Sequence, residues 1–473
     1  MEDKSQQQLQ KNNKVFLQKL TNLCYPLYIK LRVFLKIKLD SIKDNNLKNS
    51  LLNALPFWLG AIITGFVAVL YAKLFYWAEQ GTLYVFQLNK WLFFIITPIL
   101  FVFSWWIVYK YAPYARGSGI PQVTASIELA NPKKHYLIDK LLSFRIIFIK
   151  ILSSLVLVLA GGAIGREGPT IQISGSIFKK INDLLPEWYP KISKKNMLIT
   201  GAAAGLAAAF NTPLGGIVFA IEELTTTHFN YFKSALITGV IIAGLTALNI
   251  LGPYLYLGYP QVKGVSLWII FPVVLVALIA GYAASSMGKL ILYILKRKKS
   301  LKTNAQKVSY SLIAGLLMAS FGVFVSVHSF GSGKEIMIET LFSGHKHIEW
   351  YMPIIRFLGP VVSFTNGAGG GIFAPSLSAG ASIGSVVSGW FDLSASNSNL
   401  ITLCGMVAFL TGITRSPFTS AILVLEMTNS HHVIFYLMLA GLIANIIAKL
   451  VDTQSFYEHL KIQYLEEIKS EEQ

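Results

Sequence analysis

Apolar segments follow one another along almost the whole chain, from about Leu51 to Val451. Hydrophobic residues make up 53% of its 473 residues and charged residues only 14%, whereas a typical soluble domain carries about 25% charged residues. Because these segments are continuous and do not alternate with polar positions, they predict membrane helices rather than a β-barrel. We therefore expect an all-α, polytopic membrane protein with on the order of ten spanning or half-spanning helices.

Several of the predicted apolar segments are too short to cross a bilayer, which takes about 20 residues. Broken, half-spanning helices that meet at mid-depth are typical of transporters. Prolines stand near the start of several of these segments, where a helix tolerates proline best. The predicted segments are 51–78, 91–112, 139–164, 169–182, 197–210, 213–226, 232–252, 265–294, 308–329, 350–365, 372–391, 400–412, 417–428 and 433–450.

The chain repeats itself at an offset of 204 positions. Residues 201–224 match residues 405–428, with glycine, proline and glutamate in the same order, so that Glu222 corresponds to Glu426. Such a repeat in a transporter predicts two inverted halves with the binding site between them near the midplane. The predicted divisions are a basic cytoplasmic N-terminal segment (1–50), transmembrane repeat 1 (51–260), transmembrane repeat 2 (265–450), and a C-terminal helix with a short cytoplasmic tail (451–473).

Positive charge is concentrated in a few places of this chain, whose formal net charge is +18. The main clusters lie in residues 1–50, where Phe16 to Leu31 could form an interfacial helix, and in residues 296–307. By the positive-inside rule these clusters face the cytoplasm, which predicts a plasma (inner) membrane protein with both termini inside. Nucleic-acid binding is disfavoured because the clusters sit between apolar spans and lack interleaved aromatic residues.

The segment Gly165-Arg166-Glu167-Gly168-Pro169 places two charges between apolar runs. An ionisable residue inside a membrane protein is a functional-site candidate by default. Pro169 predicts a helix start, so the Glu167 carboxylate should lie at a helix N-terminus, where anions bind. A carboxylate there can compete with a diffusible anion and can also carry a proton, so one residue could couple anions to protons.

Two further loops rich in glycine and proline lead into apolar segments, Gly117–Pro121 (GSGIP) and Gly371–Pro375 (GIFAP). The second of them is the counterpart of GREGP in the other half of the chain, at an offset of 206. If the three helix starts converge, their backbone N–H groups favour a small anion without a full opposite charge. Such a site, with the Ser118 hydroxyl as a further donor, can also release the anion quickly.

Other motifs do not predict catalysis or metal binding. The run 331–334 (GSGK) is not a phosphate loop, because His328 stands where its first glycine should be and no serine or threonine follows. The histidines lack acidic or cysteine neighbours in a metal-binding pattern, and Cys24 and Cys404 are too isolated for a disulfide framework. We expect no enzyme activity, no metal and no cofactor.

In their order and spacing, GSGIP at 117–121, GREGP at 165–169 and GIFAP at 371–375 resemble the CLC family of chloride channels and chloride/proton exchangers. The resemblance covers the chain from about Leu51 to Leu465. It implies an all-α homodimer with one independent pore in each subunit and an inverted repeat in each pore. It also implies a prokaryotic-type member, since the few residues after Leu465 leave no room for C-terminal regulatory domains.

The resemblance implies an anion site made of hydroxyls and backbone amides. Ser118 and Tyr457 would coordinate the anion with their hydroxyls, and the N–H groups of Ile372 and Phe373 would bind it from the other side. Gly119 would belong to the same site, beside Ser118. For Tyr457 the alternative is an ordinary tyrosine at the membrane interface.

The resemblance also assigns the charged residues. Glu167 would be the outer gate and take the proton, and Glu223 would be the internal proton-transfer glutamate, although its neighbour Glu222 remains an alternative. Lys150 would raise the local positive potential, unless it snorkels to an interface. Arg166 would support the electrostatics or only neutralise charge locally.

These features predict a secondary active transporter that exchanges chloride for protons in a lipid bilayer, as a homodimer. A passive, voltage- or pH-gated chloride channel is the alternative within the family, and an acid at Glu223 favours the exchanger. A fluoride/proton antiporter is disfavoured because such relatives tend to depart from GSGIP and GREGP. An intramembrane enzyme or receptor would need a catalytic pair or a large soluble module, and neither is apparent.

Overall fold

The computed structural model describes residues 44–225, 233–252, 255–264, 267–344 and 346–472. The described residues from Pro56 onward belong to one compact unit. The interfacial helix predicted from Phe16 to Leu31 and the placement of Cys24 lie outside the described residues. The predicted divisions at 50, 260 and 450 stay predictions.

The described residues form helices and contain no strand, which confirms the all-α prediction. Two isolated β-bridges join loops and are discussed with the site. The helices are α1 (Asn45–Leu88), α2 (Phe93–Tyr111), α3 (Ile120–Leu129), α4 (Ile138–Leu141), α5 (Phe144–Leu159), α6 (Glu167–Asp183), α7 (Lys194–Phe210), α8 (Pro213–Phe219), α9 (Lys233–Leu251), α10 (Ile270–Lys298), α11 (Asn304–Ser320), α12 (Lys334–Phe342), α13 (Met352–Thr365), α14 (Phe373–Trp390), α15 (Ala395–Thr414), α16 (Pro417–Thr428), α17 (Ile434–Val451) and α18 (Phe456–Ser470).

Eight helical stretches among the described residues are long and apolar enough to cross a membrane. Large apolar side chains point outward on them, such as Phe66, Phe148 and Phe435. In water such exposure would be costly, but lipid chains are as apolar as these side chains. The chain is therefore an integral, multi-pass membrane protein.

Other helices are much too short to span. At about 1.5 Å per residue, α3, α8 and α16, with 10, 7 and 12 residues, are roughly 10–18 Å long. The bilayer core measures about 30 Å. Each carries proline in its first two positions, at Pro121, Pro213 and Pro417. The predicted broken, half-spanning helices are confirmed.

Several predicted boundaries were wrong. The first helix begins at Asn45 rather than 51, and α6 begins at Glu167 rather than Pro169. The predicted segment 139–164 is interrupted, because the Ser143 side chain accepts a hydrogen bond from the backbone of Ile146 and starts a new helix, α5. Helix α12 was not predicted, since its apolar runs are only two or three residues long and are separated by charged and polar residues.

The two halves of the chain hold each other by reciprocal helix caps. The Glu426 carboxylate accepts hydrogen bonds from the backbone N–H groups of Leu214–Gly215, at 3.1 and 2.7 Å. The Glu222 carboxylate accepts from those of Phe418–Thr419, at 3.3 and 2.7 Å. Each donor and each acceptor of the first contact lies 204 positions from its counterpart in the second. The two contacts are therefore equivalent, and a two-fold relation connects α8 and α16, as in an isologous contact.

Candidate anion and proton site

The structure brings the three loops rich in glycine and proline together. Gly165 and Gly371 exchange two backbone hydrogen bonds, at 2.7 and 2.8 Å. The N–H of Gly117 donates to the carbonyl of Ala368 at 2.8 Å, and that of Gly370 donates to the carbonyl of Gly117 at 3.0 Å. The loops that precede α3, α6 and α14 are therefore tied to one another.

Close approach of α3 and α6 depends on glycine. Gly119 has φ of 112°, and a Cβ atom there would lie 2.7 Å from the carbonyl oxygen of Gly168 and 2.8 Å from Cβ of Gln172. A Cβ atom at Gly168 would in turn collide with the Ser118 hydroxyl. These two glycines allow Ser118 to lie directly against the first turn of α6.

Glu167 is the first residue of α6 and is fully buried. Its carboxylate folds back over Gly165, where a Cβ atom would collide with it, and lies beside the backbone of Ala374 in the first turn of α14. Neither carboxylate oxygen accepts a hydrogen bond of normal geometry from the described residues. The carboxylate therefore lies where the positive ends of α6 and α14 meet, and an anion would compete for the same place.

Two hydroxyls lie near this region. Ser118 and Tyr457 are both buried, and their hydroxyl groups are close to each other. Neither makes a hydrogen bond of normal geometry with the described residues. A buried polar group without a partner costs about 1–3 kcal/mol, so a ligand that accepts hydrogen bonds would be stabilised here.

The position of Tyr457 follows from how α18 begins. The Ser455 side chain accepts a hydrogen bond from the backbone N–H of Glu458 at 3.0 Å and caps the helix. Tyr457 therefore lies in the first turn of α18, with only 2% of its surface exposed. The alternative of an ordinary interfacial tyrosine does not fit that burial.

Ile372 and Phe373 lie at the start of α14, and both side chains are fully buried. The Phe373 ring packs against Phe210, with 5.7 Å between ring centroids. The first N–H groups of a helix have no acceptor within the helix. Buried side chains thus fix the start of α14 with its backbone donors near Glu167.

Lys150 does not snorkel to an interface. Its side chain is fully buried, and its Nζ donates to the carbonyl of Gly117 at 2.8 Å and that of Arg116 at 3.4 Å. The amine thus holds the loop that presents Ser118. Arg166 is partly buried and directly precedes α6, beside Glu167.

The structure distinguishes Glu222 from Glu223. Glu222 caps α16, where the Thr419 hydroxyl adds a further hydrogen bond at 2.7 Å. Glu223 instead accepts a hydrogen bond from the Ser416 hydroxyl at 2.5 Å. Sequence reasoning missed Ser416, although a serine before a proline that opens a helix is a recognisable capping position.

Arg116, two residues before Ser118, lines a basic cavity of about 230 Å³. Lys298 and Lys307 also line it, and Lys298 donates from Nζ to backbone carbonyls at 2.8 and 2.6 Å. Glu467 of α18 pairs with Arg116. Burial disfavours the charged form of Glu467, but the attraction of the Arg116 guanidinium outweighs this effect of burial. It holds the pKa of Glu467 below its usual range. The cavity carries excess positive charge and attracts anions.

The model of the voltage gated chloride channel family matches residues 100–449, about three quarters of the chain. The chain belongs to this family. A relative from Vibrio parahaemolyticus, named H(+)/Cl(-) exchange transporter ClcA, is 29% identical over 378 residues, which cover 77% of this chain and 78% of the relative. A relative of the same name from Cronobacter sakazakii is 28% identical over 389 residues, covering 80% and 81%.

Solved structures of CLC proteins share the fold. A slow cyanobacterial Cl-/H+ antiporter superposes with a TM-score of 0.74 at 23% identity, covering 88% of this chain and 98% of that one. A CLC-type fluoride/proton antiporter superposes with a TM-score of 0.72 at 18% identity, over the same shares. At these identities the likeness concerns the fold alone.

Among the described residues, no group of three or more His, Cys, Asp or Glu side chains could hold a metal ion.

Proposed function

We propose that this CLC protein is a secondary active transporter that exchanges chloride for protons. The observation that carries the proposal is the buried Glu167 carboxylate, which lies without a hydrogen-bond partner of normal geometry where the starts of α6 and α14 meet. The names of the relatives from Vibrio parahaemolyticus and Cronobacter sakazakii support it. The basic cavity lined by Arg116, two residues before Ser118, supports an anion as the second substrate.

Chloride would lie between the hydroxyls of Ser118 and Tyr457 and the backbone N–H groups of Ile372 and Phe373. The charged Glu167 carboxylate competes for the same helix starts, because both are anions at the positive end of a helix dipole. A proton taken up by Glu167 neutralises this competitor and leaves the place to chloride. Anion binding and proton binding are thereby linked at one residue.

Glu223 would transfer protons between the cytoplasm and Glu167. It lies in the turn that follows α8 and does not line the basic cavity. Its carboxylate accepts a hydrogen bond from Ser416 and does not cap a helix. Because Glu223 and Glu167 lie at different places, the proton would follow a route that is separate from the chloride route on the cytoplasmic side. The gap between them would be crossed on transient water.

The test is proton movement in liposomes that contain the purified protein and a chloride gradient. Chloride flowing down its gradient should drive protons uphill, and Glu167→Gln should abolish this transport while chloride still moves. Chloride flux without any proton movement in the unmutated protein would show a passive channel instead. Uphill proton transport by Glu167→Gln would remove Glu167 from its proposed role.

We also propose a homodimer in the plasma (inner) membrane with both termini in the cytoplasm, without enzyme activity or a cofactor. The supporting observation for the dimer is that α8 and α16 carry outward apolar side chains at Leu214 and Phe418, which are 51% and 47% exposed. The small residues Gly215 and Ser420 of these helices are buried within the subunit, where Gly215 packs against Leu423 of α16.

A further inference from the structure

Hydrogen bonds to both of its backbone groups hold Ser416 in place. Ser416 is 2% exposed and directly precedes α16. Its N–H donates to the Thr414 hydroxyl at 3.2 Å, and its carbonyl accepts from the N–H and the hydroxyl of Ser420, at 3.0 and 2.9 Å. With both backbone groups engaged, the side chain donates to Oε2 of Glu223 at 2.5 Å.

The acid is fixed from its own side as well. Glu223 lies in the turn Ala220–Leu224, whose Glu222 is bound to the first turn of α16. The reciprocal caps therefore hold the turn against the helix that Ser416 precedes. The contact between Glu223 and Ser416 joins the two halves of the chain, 193 positions apart.

The internal repeat offers a natural comparison. The position 204 residues before Ser416 is Thr212, which likewise directly precedes a proline that opens a short helix. The position 204 residues after Glu223 is Met427, so that half of the chain has no acid at this place. The Thr212 hydroxyl is buried and has no hydrogen-bond partner among the described residues. A hydroxyl bonded to a carboxylate thus occurs at only one of the two equivalent places.

Other charges also face Glu223. They are Glu222 on its own turn and Glu458 and Lys461 on α18. Lys461 is paired with Glu458 at 2.6 Å and with Glu128 at 3.4 Å. Because Lys461 is shared between two other carboxylates, the direct donor to Glu223 is the Ser416 hydroxyl.

We propose that Ser416 is a positioning residue for proton transfer at Glu223, an inference that rests on the proposed chloride/proton exchange. The arriving proton binds a carboxylate oxygen of Glu223 and leaves from it toward Glu167, while Ser416 keeps its own proton throughout. A donated hydrogen bond stabilises the charged carboxylate relative to the neutral acid. Ser416 therefore sets both the direction of the Glu223 carboxylate and the pH range in which it gives up its proton.

The test measures chloride-driven proton transport in liposomes as a function of pH for Ser416→Ala. Loss of the donor makes the proton harder to release, so the half-maximal pH should move upward by about one unit. Ser416→Thr keeps the hydroxyl and should have the same pH profile as the unmutated protein. Thr212→Val removes the equivalent hydroxyl, which has no acid to bind, and should leave the profile unchanged.

Chloride flux, measured in parallel, reports whether each variant is folded. The proposal is overturned if Ser416→Ala has the profile of the unmutated protein, if Thr212→Val shifts as far, or if Ser416→Thr fails to restore the profile. An unmutated protein that moves chloride but no protons would overturn the exchange itself together with this inference. A coupled unmutated protein with an unshifted Ser416→Ala would overturn the role of Ser416 alone.

Discussion

The adjacent acids Glu222 and Glu223 should respond to mutation in opposite ways. Glu222→Ala should lower stability and leave proton coupling largely intact, because its carboxylate caps α16. Glu223→Gln should stop proton transport and change stability little, since its amide still accepts a hydrogen bond from Ser416. The repeat mate Glu426 caps α8 and supplies the matched control.

The magnitudes follow from the number of donors left without an acceptor. Glu222 accepts from two backbone N–H groups and from the Thr419 hydroxyl, which makes three donors. Glu426 accepts from two backbone N–H groups, those of Leu214 and Gly215. At about 1 kcal/mol for each donor, Glu222→Ala should cost about 3 kcal/mol and Glu426→Ala about 2 kcal/mol.

Thermal unfolding in detergent, followed by intrinsic fluorescence, measures the stability of each variant, and proton transport in liposomes measures coupling. Glu222→Ala should unfold at the lowest temperature, Glu426→Ala next, and Glu223→Gln close to the unmutated protein. Equal stability of all three variants would refute the capping roles. Loss of proton transport in Glu222→Ala with coupling kept in Glu223→Gln would reverse the assignment of the two acids.

The other predictions concern the anion site and the subunit interface. Tyr457→Phe removes a buried hydroxyl that faces Ser118, so chloride affinity, measured by calorimetry, should fall about fivefold to tenfold; an unchanged affinity would remove Tyr457 from the site. Ile217→Trp and Ile422→Trp place bulky rings on α8 and α16, and each should give monomers that still transport chloride. Size measurements in detergent that show an intact dimer for both variants would contradict this placement of the interface.

Local backbone chemistry explains why the Glu167 region could be predicted from sequence. Gly165 and Gly371 allow two loops to pair, and Pro169 and Pro375 lie in the first turns that follow them. These requirements act within a few residues, so a short motif contains them. The convergence of the three loops depends on contacts between distant residues. The sequence pattern therefore could not predict it, and the anion site was predicted only on the condition that the loops converge.

Contacts between distant residues explain what the sequence left open. The choice between Glu222 and Glu223 depends on which side chain reaches the first turn of α16, about 195 positions away. Whether Lys150 snorkels depends on the Gly117 carbonyl, which is 33 positions from it. No local propensity encodes either contact. Helix α12 was missed for another reason, because its polar residues interrupt the apolar pattern that identifies membrane helices.

The repeat itself separates residues that hold the scaffold from residues that perform the chemistry. Glu222 and Glu426 are acids in both halves, and both cap the helix of the other half. The two acids proposed to carry protons break the symmetry.

At the offset of 206, Glu167 corresponds to Phe373, and at the offset of 204, Glu223 corresponds to Met427. A two-fold scaffold with the same acid at all equivalent places would offer two equal proton sites related by the axis. A proton route that separates from the chloride route needs an acid at one place and none at the equivalent place, so a proton-carrying acid is expected where its repeat mate is apolar. By the same reasoning Ser416, whose mate Thr212 has no acid to bind, belongs with the chemistry rather than with the scaffold.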